Sequence, residues 1–182
     1  MDKLFENILD SDEKVIKVLR PNKLKFFFAS FFGTFVVMAF FVTFGILLGT
    51  VKDEFGDVAP IGLTISVIAF GVLFAAFSVL FTILAYKKRY YAYTNKRVII
   101  RGGIIGVDYK SLDMDMIGAI DVTVTVIDKI LRSNTGSISF GSVASPMTAA
   151  GGSIFTFLSI ENPYDFYKEI KLVINEKKAH KK

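Results

Sequence analysis

Two long runs without a charged residue constrain this chain more than any other feature of its sequence. The first covers 26 residues from Phe26 to Val51, and the second covers 27 residues from Pro60 to Tyr86. An α-helix needs about 20 apolar residues to cross the hydrocarbon core of a bilayer. A chain of 182 residues has too little other sequence to bury two helices that are apolar on every side. Both runs are therefore predicted to be transmembrane helices.

The charges that flank the two runs predict their orientation. Residues 52–59 connect the runs as a tight hairpin and carry a net charge of −2, from Lys52 against Asp53, Glu54 and Asp57. The opposite ends are basic, with Arg20, Lys23 and Lys25 before the first run and Lys87, Lys88 and Arg89 after the second. Because basic residues favour the cytoplasmic side of a membrane, we expect a multi-pass protein of the cell membrane with both termini in the cytoplasm.

The interiors of the two runs carry no Asp, Glu, Lys, Arg or His. Ion and proton pathways need such groups within the membrane, so their absence argues against a transporter. Small residues recur there at the spacing of close helix packing, Gly45 with Gly49 and Gly71 with Ala75. This spacing suits packing of the two helices on each other or on a second copy of the chain.

Composition argues against most enzyme classes. The chain has no Cys, and its single His180 lies in a lysine-rich stretch, which removes thiolate sites and histidine-based triads. Neither GSVAS at 141–145 nor GGIIG at 102–106 has the spacing of a nucleophile elbow or a dinucleotide site. The pair Asp113 and Asp115 would share one face of a strand, which leaves a metal-dependent membrane enzyme as a minor hypothesis. We expect no enzyme activity, no cofactor and no metal.

From Arg89 onward the pattern changes to the period of two that is typical of β-strands. Asn95 and Lys96 are predicted to form a turn, residues 145–153 a loop of small residues, and residues 12–23 an additional edge strand. A helix is then predicted with Asn162 as its N-cap and Pro163 at its first position. Its apolar stripe consists of Phe166, Ile170, Val173 and Ile174. Strands are predicted at 90–94, 97–101, 104–109, 112–116 and 120–126, around Ile138 and Phe140, and at 154–160.

Several of these segments resemble the membrane-anchored bacterial pleckstrin-homology-like (PH-like) family. The resemblance rests on Tyr91, Thr94 and Arg97 with a following glycine (Gly102 or Gly103), an "I-x-x-V" element around Ile117, Ile120 and Val122, Gly136, Pro163, and the lead-in DEKV at 12–15. It implies an α+β membrane protein in which a two-helix hairpin carries a seven-stranded PH-like antiparallel β-barrel, capped by the C-terminal helix. We therefore divide the chain into a lead-in (1–25), a hairpin (26–86), a PH-like domain (87–176) and a basic tail (177–182).

The resemblance implies no reaction, and the two uncharged runs, the charge asymmetry and the lack of a catalytic constellation favour a role in interaction. We expect a non-enzymatic scaffold or protein-interaction module that acts with a protein partner or as a homo-oligomer. The alternative is a lipid-responsive sensor or an accessory subunit of a membrane complex that binds anionic headgroups. The same basic residues would also fit a solvated face that only fixes topology, and nucleic acid is not an expected partner. The candidate contacts with membrane lipid or a partner are Lys87, Lys88, Arg89, Lys96, Arg97 and Arg101.

Overall fold

The computed structural model describes residues 4–52, 56–130, 133–142 and 153–179. The chain divides into two compact units. One unit joins Met1–Phe26 with Ala85–Lys182, and the other is Phe27–Leu84. The segment before the apolar runs thus belongs to the same unit as the strands that follow them.

Two long helices account for both apolar runs. Helix α1 spans Lys23–Thr50 and helix α2 spans Ile61–Lys88, close to the predicted runs. Both are long and apolar enough to cross a membrane, and few of their residues are buried against the protein. Many of their large side chains are exposed, as at Phe40 (62% exposed) and Leu73 (62% exposed). Such a surface is compatible with a position in a membrane.

Glycine lets α1 and α2 approach closely within the helical unit. A Cβ atom at Gly45 would lie 2.6 Å from Ile68 Cγ1, and one at Gly71 would lie 2.5 Å from Phe41 Cβ. Gly49 faces Thr64, where the corresponding distance to Cγ2 is 3.3 Å. The three glycines therefore seat the two helices on each other, and Ala75 lies one turn beyond Gly71 on α2.

Hydroxyl groups bridge the same two helices nearer to their other ends. Thr34 Oγ1 and Ser78 Oγ lie 2.7 Å apart, and Ser30 pairs with Thr82 in the same way. In hydrocarbon a hydroxyl group has no water to bind, so an interhelical partner satisfies it. These pairs and the glycine contacts fix one antiparallel register for the hairpin.

The other unit contains two antiparallel sheets among the described residues. The first sheet has the order β1-β2-β3-β4 and the second the order β5-β6-β7. The predicted class, α+β with antiparallel strands, is confirmed, but the seven strands do not form the single β-barrel that was expected. They form two sheets that do not pair with each other, because the 3₁₀ helix Met114–Met116 turns the chain between β4 and β5. The strands are β1 Val15–Leu19, β2 Tyr90–Thr94, β3 Arg97–Gly102, β4 Asp108–Asp113, β5 Ala119–Thr123, β6 Thr135–Gly141 and β7 Phe155–Glu161.

Individual strand predictions fared unevenly. The lead-in does supply an edge strand, β1. The two strands expected at 104–109 and 112–116 are instead the single strand β4 and the 3₁₀ helix after it. The strand expected at 120–126 ends at Thr123 and is followed by a short helix, α3, at Val126–Ile130, which was not predicted. Most of the predicted loop 145–153 lies outside the described residues.

One apolar core joins both sheets to the last helix, α4, at Pro163–Ala179. The stripe predicted for this helix is confirmed, since Phe166, Ile170 and Ile174 are buried in that core. The ring of Tyr91 on β2 stacks on Phe157 of β7 with centroids 4.7 Å apart, which ties the sheets together. Helix α4 therefore contributes its apolar stripe to a core that it shares with both sheets.

The opposite face of the first sheet is covered as well. Phe5 is fully buried there against Ala92 and Ile99, and Leu4, Ile8 and Leu9 pack around it. The central strands β2 and β3 are therefore buried on both faces, which suits their high content of apolar residues, whereas β4 at the edge is mostly exposed. The segment from Leu4 to Glu13 is called the cover segment below.

Candidate functional site

The six basic residues proposed from the sequence lie at the two ends of one hairpin. The hairpin consists of β2 and β3, which pair with Tyr90 opposite Arg101. Its turn end contains Lys96 and Arg97. Its helix end contains Arg101 on β3, and there β2 begins one residue after Lys88, the last residue of α2. Five residues of strand separate the two ends, about 17 Å at 3.3 Å per residue.

At the turn end, acidic side chains of the cover segment surround Lys96. Its Nζ lies 2.5 Å from Asp12 Oδ1 and 3.2 Å from Asp10 Oδ2. The hydrogen bond to Asp12 raises the pKa of Lys96, and the same bond lowers the pKa of Asp12. All three side chains are open to solvent, so the pair is weak, but its charges cancel locally.

Arg97 is held more firmly by Glu13, whose side chain is fully buried. The guanidinium donates from Nη2 at 2.7 Å and from Nε at 3.0 Å to the carboxylate, and also to the backbone oxygen of Ile8 at 2.6 Å. Thr94 Oγ1 donates at 2.6 Å to Glu13 Oε1, the oxygen that also accepts from Arg97 Nε. Burial alone would raise the pKa of Glu13, but the hydrogen bonds from Arg97 and Thr94 outweigh it and lower that pKa.

Thr94 and Arg97, which carry part of the resemblance to the PH-like family, thus bind Glu13 of the lead-in DEKV, which carries another part. Thr94 Oγ1 also accepts from the backbone N–H groups of Lys96 and Arg97, each at 3.0 Å, which shapes the turn. The lead-in contact itself joins positions 84 residues apart in the chain. Sequence reasoning found both motifs but gave no signal that they meet.

At the helix end the cations bind carbonyl groups and aromatic rings instead. Lys88 Nζ donates to the backbone oxygens of Ile105 at 2.5 Å and Gly106 at 3.1 Å. Arg101 donates to Tyr109 Oη at 3.3 Å and to the Lys88 oxygen at 3.4 Å. Its guanidinium also lies 5.7 Å from the centroid of the Tyr90 ring, a distance at which cation–π attraction acts.

Three further basic residues, Arg20, Lys87 and Arg89, belong to the helix end of the hairpin. The Arg20 guanidinium lies over the rings of Tyr86 and Tyr90, at 4.5 and 5.0 Å. Arg89 lies 5.9 Å from the Phe26 ring, and its Nε is buried without a hydrogen-bond partner in the described part of the chain. Lys87 is exposed. Among the residues that the structure describes, none of these five cations has a carboxylate partner, in contrast to Lys96 and Arg97.

Lys25 is a contact that the sequence did not reveal. It was counted among the bases that set topology, but its side chain is only 8% exposed and forms an ion pair at 2.6 Å with the fully buried Asp128 of α3. Asp128 also accepts from Thr125 and from Thr135. Although burial raises the pKa of Asp128, the bonds from Lys25 and the two threonines lower it overall. This pair anchors the first turn of α1 to the connection between β5 and β6.

The acidic pair considered as a metal site does not share a strand face. Asp113 ends β4, opposite Arg97 in the neighbouring strand, whereas Asp115 lies in the 3₁₀ helix that follows. The described residues contain no cluster of three His, Cys, Asp or Glu side chains that could hold a metal ion. The predicted parallel orientation of the two carboxylates was therefore wrong, because the chain leaves the strand between them.

Comparison with known proteins places this arrangement in a family. The sequence model of the family described as "Bacterial PH domain" matches residues 32–173. This range covers most of the chain and includes most of α1, all of α2 and the strands β2 to β7. No significant match was found among curated proteins or among solved structures.

Proposed function

The chain belongs to the bacterial PH domain family, and we propose that it is an integral membrane protein that displays this domain as a non-enzymatic interaction module. The observation that carries the proposal is the direct passage from membrane-length helix to domain. Helix α2 ends at Lys88 and β2 begins at Tyr90, with one residue between them. A domain joined this closely has little freedom to leave the membrane surface.

The charge distribution supports a cytoplasmic position for the domain. The connection between α1 and α2 is acidic, and the domain side carries the basic residues Arg20, Lys87, Lys88 and Arg89. Under the positive-inside rule, both termini and the PH domain lie in the cytoplasm, and the helices cross the cell membrane twice.

A binding role fits the family better than catalysis. PH-like domains are generally binding modules without catalytic activity. In this chain the buried carboxylates of Glu13 and Asp128 are each bound to a cation and to hydroxyl groups of the same unit. Such groups stabilise the fold and offer no free acid or base. We propose membrane lipid together with a protein partner or a second copy as the ligands.

Cysteine accessibility tests the membrane topology. The chain has no Cys, so Val58→Cys between the helices and Tyr164→Cys on α4 each report alone; both positions are exposed (47% and 58%). In bacterial spheroplasts, a membrane-impermeant maleimide should label position 58 directly and position 164 only after the membrane is opened. Equal labelling of both before opening would contradict the proposal.

Native mass spectrometry of the full chain, gently extracted from its membrane, tests the interaction role. A defined homo-oligomer, or one protein that recurs at fixed stoichiometry, is the expected result. A single chain that carries only lipid would reject the scaffold role and leave the lipid-responsive one.

The cations at the helix end favour that second candidate, a lipid-responsive module. Lys87, Lys88 and Arg101 face no carboxylate among the described residues, and each basic residue near an anionic surface contributes about 1 kcal/mol of attraction. Titration of the delipidated chain with phosphatidylglycerol tests it. Lys87→Gln should lower the lipid bound per chain, whereas Lys110→Gln, at an exposed position on β4, should not. Equal binding by both variants would remove this candidate.

A further inference from the structure

The loop between β3 and β4 exposes a compact group of apolar side chains. In this loop, residues 103–107, Ile105 is 90% exposed, and Ile104 and Val107 are each 41% exposed. Gly103 adopts a φ of +111°, and a Cβ atom there would lie 2.6 Å from the Gly106 oxygen. The turn is thus closed backbone against backbone, and it holds the apolar side chains outside the core. Exposed apolar groups of this kind mark contact surfaces.

Lys88 fixes the place of this loop in the chain. Its ammonium group donates to the oxygens of Ile105 and Gly106, so the loop tip lies within reach of one lysine side chain from the last residue of α2. If α2 crosses the bilayer, its end marks the level at which hydrocarbon gives way to headgroups. The loop tip lies beside that level rather than at the far, turn end of the hairpin.

The surroundings of the loop match an anionic lipid surface. Lys88 donates to the loop and Arg101 precedes it on β3; residues 101–107 include no acidic side chain, and the exposed Asp108 begins β4 directly after them. Tyr90 and Tyr109 lie on the adjoining strands; tyrosine is a residue that the interface favours. Apolar tip, basic flank and aromatic residues together form the pattern of an interfacial membrane contact.

From these observations we infer that the β3–β4 loop inserts Ile104, Ile105 and Val107 into the lipid interface of the membrane that α1 and α2 span. The inference rests on the proposed membrane anchoring and adds a second point of attachment. A hydrophobic protein partner would fit the exposed tip alone, but lipid also explains its tether to the end of α2 and its basic flank. Two attachments would hold the domain in one orientation on the membrane.

Depth-dependent fluorescence quenching tests the inference on the full chain. Single cysteines at Phe40→Cys in α1, Ile105→Cys in the loop and Tyr164→Cys on α4 replace exposed side chains. Each variant is labelled with an environment-sensitive dye and reconstituted into vesicles of phosphatidylcholine and phosphatidylglycerol. The lipids carry bromine either near the headgroup end or near the methyl end of the acyl chain.

The expected result separates three positions. The dye at position 40 should be quenched most by bromine near the methyl end, that at 105 by bromine near the headgroup end, and that at 164 by neither. If the dye at position 40 were quenched but the dye at position 105 were as unquenched as the dye at position 164, the inference would be overturned and the membrane anchoring would stand. Loss of quenching at position 40 would instead contradict the anchoring itself.

An apolar dye could draw the loop into lipid, so a second readout uses the unlabelled cysteines. A charged thiosulfonate reagent should modify Ile105→Cys more slowly than Tyr164→Cys in vesicles open to both sides. Equal rates at the two positions would overturn the inference whatever the dye reports.

Discussion

The two ends of the β2–β3 hairpin carry the same kinds of basic residue and use them differently. At the turn end, Lys96 and Arg97 are bound by three carboxylates of the cover segment. At the helix end, Lys88 and Arg101 donate to backbone and tyrosine oxygens and have no carboxylate partner among the described residues. One end is therefore neutralised from within the chain, and the other keeps its positive charge for the surroundings.

This difference shows that the count of cations on a strand does not measure the charge available for binding. The acids that neutralise the turn end come from a part of the chain more than 80 residues away. An anionic ligand at Lys96 and Arg97 would have to displace a buried carboxylate and its hydrogen bonds. The helix end needs no such displacement, and it is there that the exposed apolar loop lies.

The largest loss of stability should follow from a mutation that removes the packing of the cover segment on the first sheet. Phe5→Ala removes a fully buried ring from the outer face of the first sheet, and such truncations cost about 3–5 kcal/mol of unfolding free energy. The urea midpoint of the domain in detergent, followed by near-ultraviolet circular dichroism of the tyrosines, should fall accordingly. Ile16→Ala, at a position 48% exposed on β1, is the control and should change little. Equal midpoints for both variants would show that the cover segment does not stabilise the domain.

The next effect concerns the buried pair at the turn end. Glu13→Gln keeps the shape of the side chain but leaves Arg97 without its counter-charge, and the loss of a hydrogen bond to a charged group costs about 1.5–3 kcal/mol. The same urea measurement checks this value. Asp12→Asn removes a carboxylate that is 72% exposed and should leave the midpoint unchanged. If the two variants behaved alike, the distinction between a buried and a surface pair at this end would fail.

At the helix end, the shape of the loop should matter more than its charges. Gly103→Ala places a side chain at a positive φ, where its Cβ would meet the Gly106 oxygen, and backbone strain of this kind costs about 1–3 kcal/mol. Gly106→Ala meets nothing within 4 Å and is the matched control. A lower midpoint for Gly103→Ala alone is expected. The same stability for both variants would contradict the tight turn on which the exposed tip depends.

Local sequence properties predicted the helices well. The two apolar runs and the stripe of Phe166, Ile170 and Ile174 each depend on a few neighbouring residues, and the structure places helices there within a few positions. The strands β2 and β3 and the turn at Asn95 were found for the same reason. Each is a short-range pattern that later packing did not change.

Long-range pairing was beyond the reach of the sequence. A single β-barrel was predicted where the structure has two sheets, because nothing local indicates that the chain turns into a 3₁₀ helix at Met114 and separates the sheets. Helix α3 has only five residues, too few to show helical periodicity. The union of the cover segment with the domain depends on Phe5 meeting Ala92 and Ile99, a contact that no spacing encodes.

The candidate site, like the fold, was predicted where it depends on local sequence and missed where it depends on long-range contacts. The cations at 87–101 were found from their charge and their place after the second run. The partner of Arg97 was missed, because Glu13 lies 84 residues away in the chain, and the pair of Lys25 with Asp128, 103 residues apart, was missed for the same reason. Lys25 was assigned to topology alone, since a lysine before an apolar run has the same appearance whether it faces lipid headgroups or a buried aspartate.

The smallest expected effect is a difference between the turn end and the helix end of the β2–β3 hairpin in how their contributions to stability depend on acid pH. The folded pKa of Glu13 lies below its ordinary value of 4.5, so its contribution to stability is complete above that value and is lost as pH falls through the folded pKa. The gap in urea midpoint between the wild-type chain and Glu13→Gln should therefore narrow on acidification below 4.5. Asp128 and Glu169, whose pKa values are also lowered, are present in both proteins and cancel. The gap between wild-type and Gly103→Ala should stay constant over the same interval, because no carboxylate titrates in that turn. A gap for Glu13→Gln that widened instead would mean that burial, rather than Arg97, controls this carboxylate.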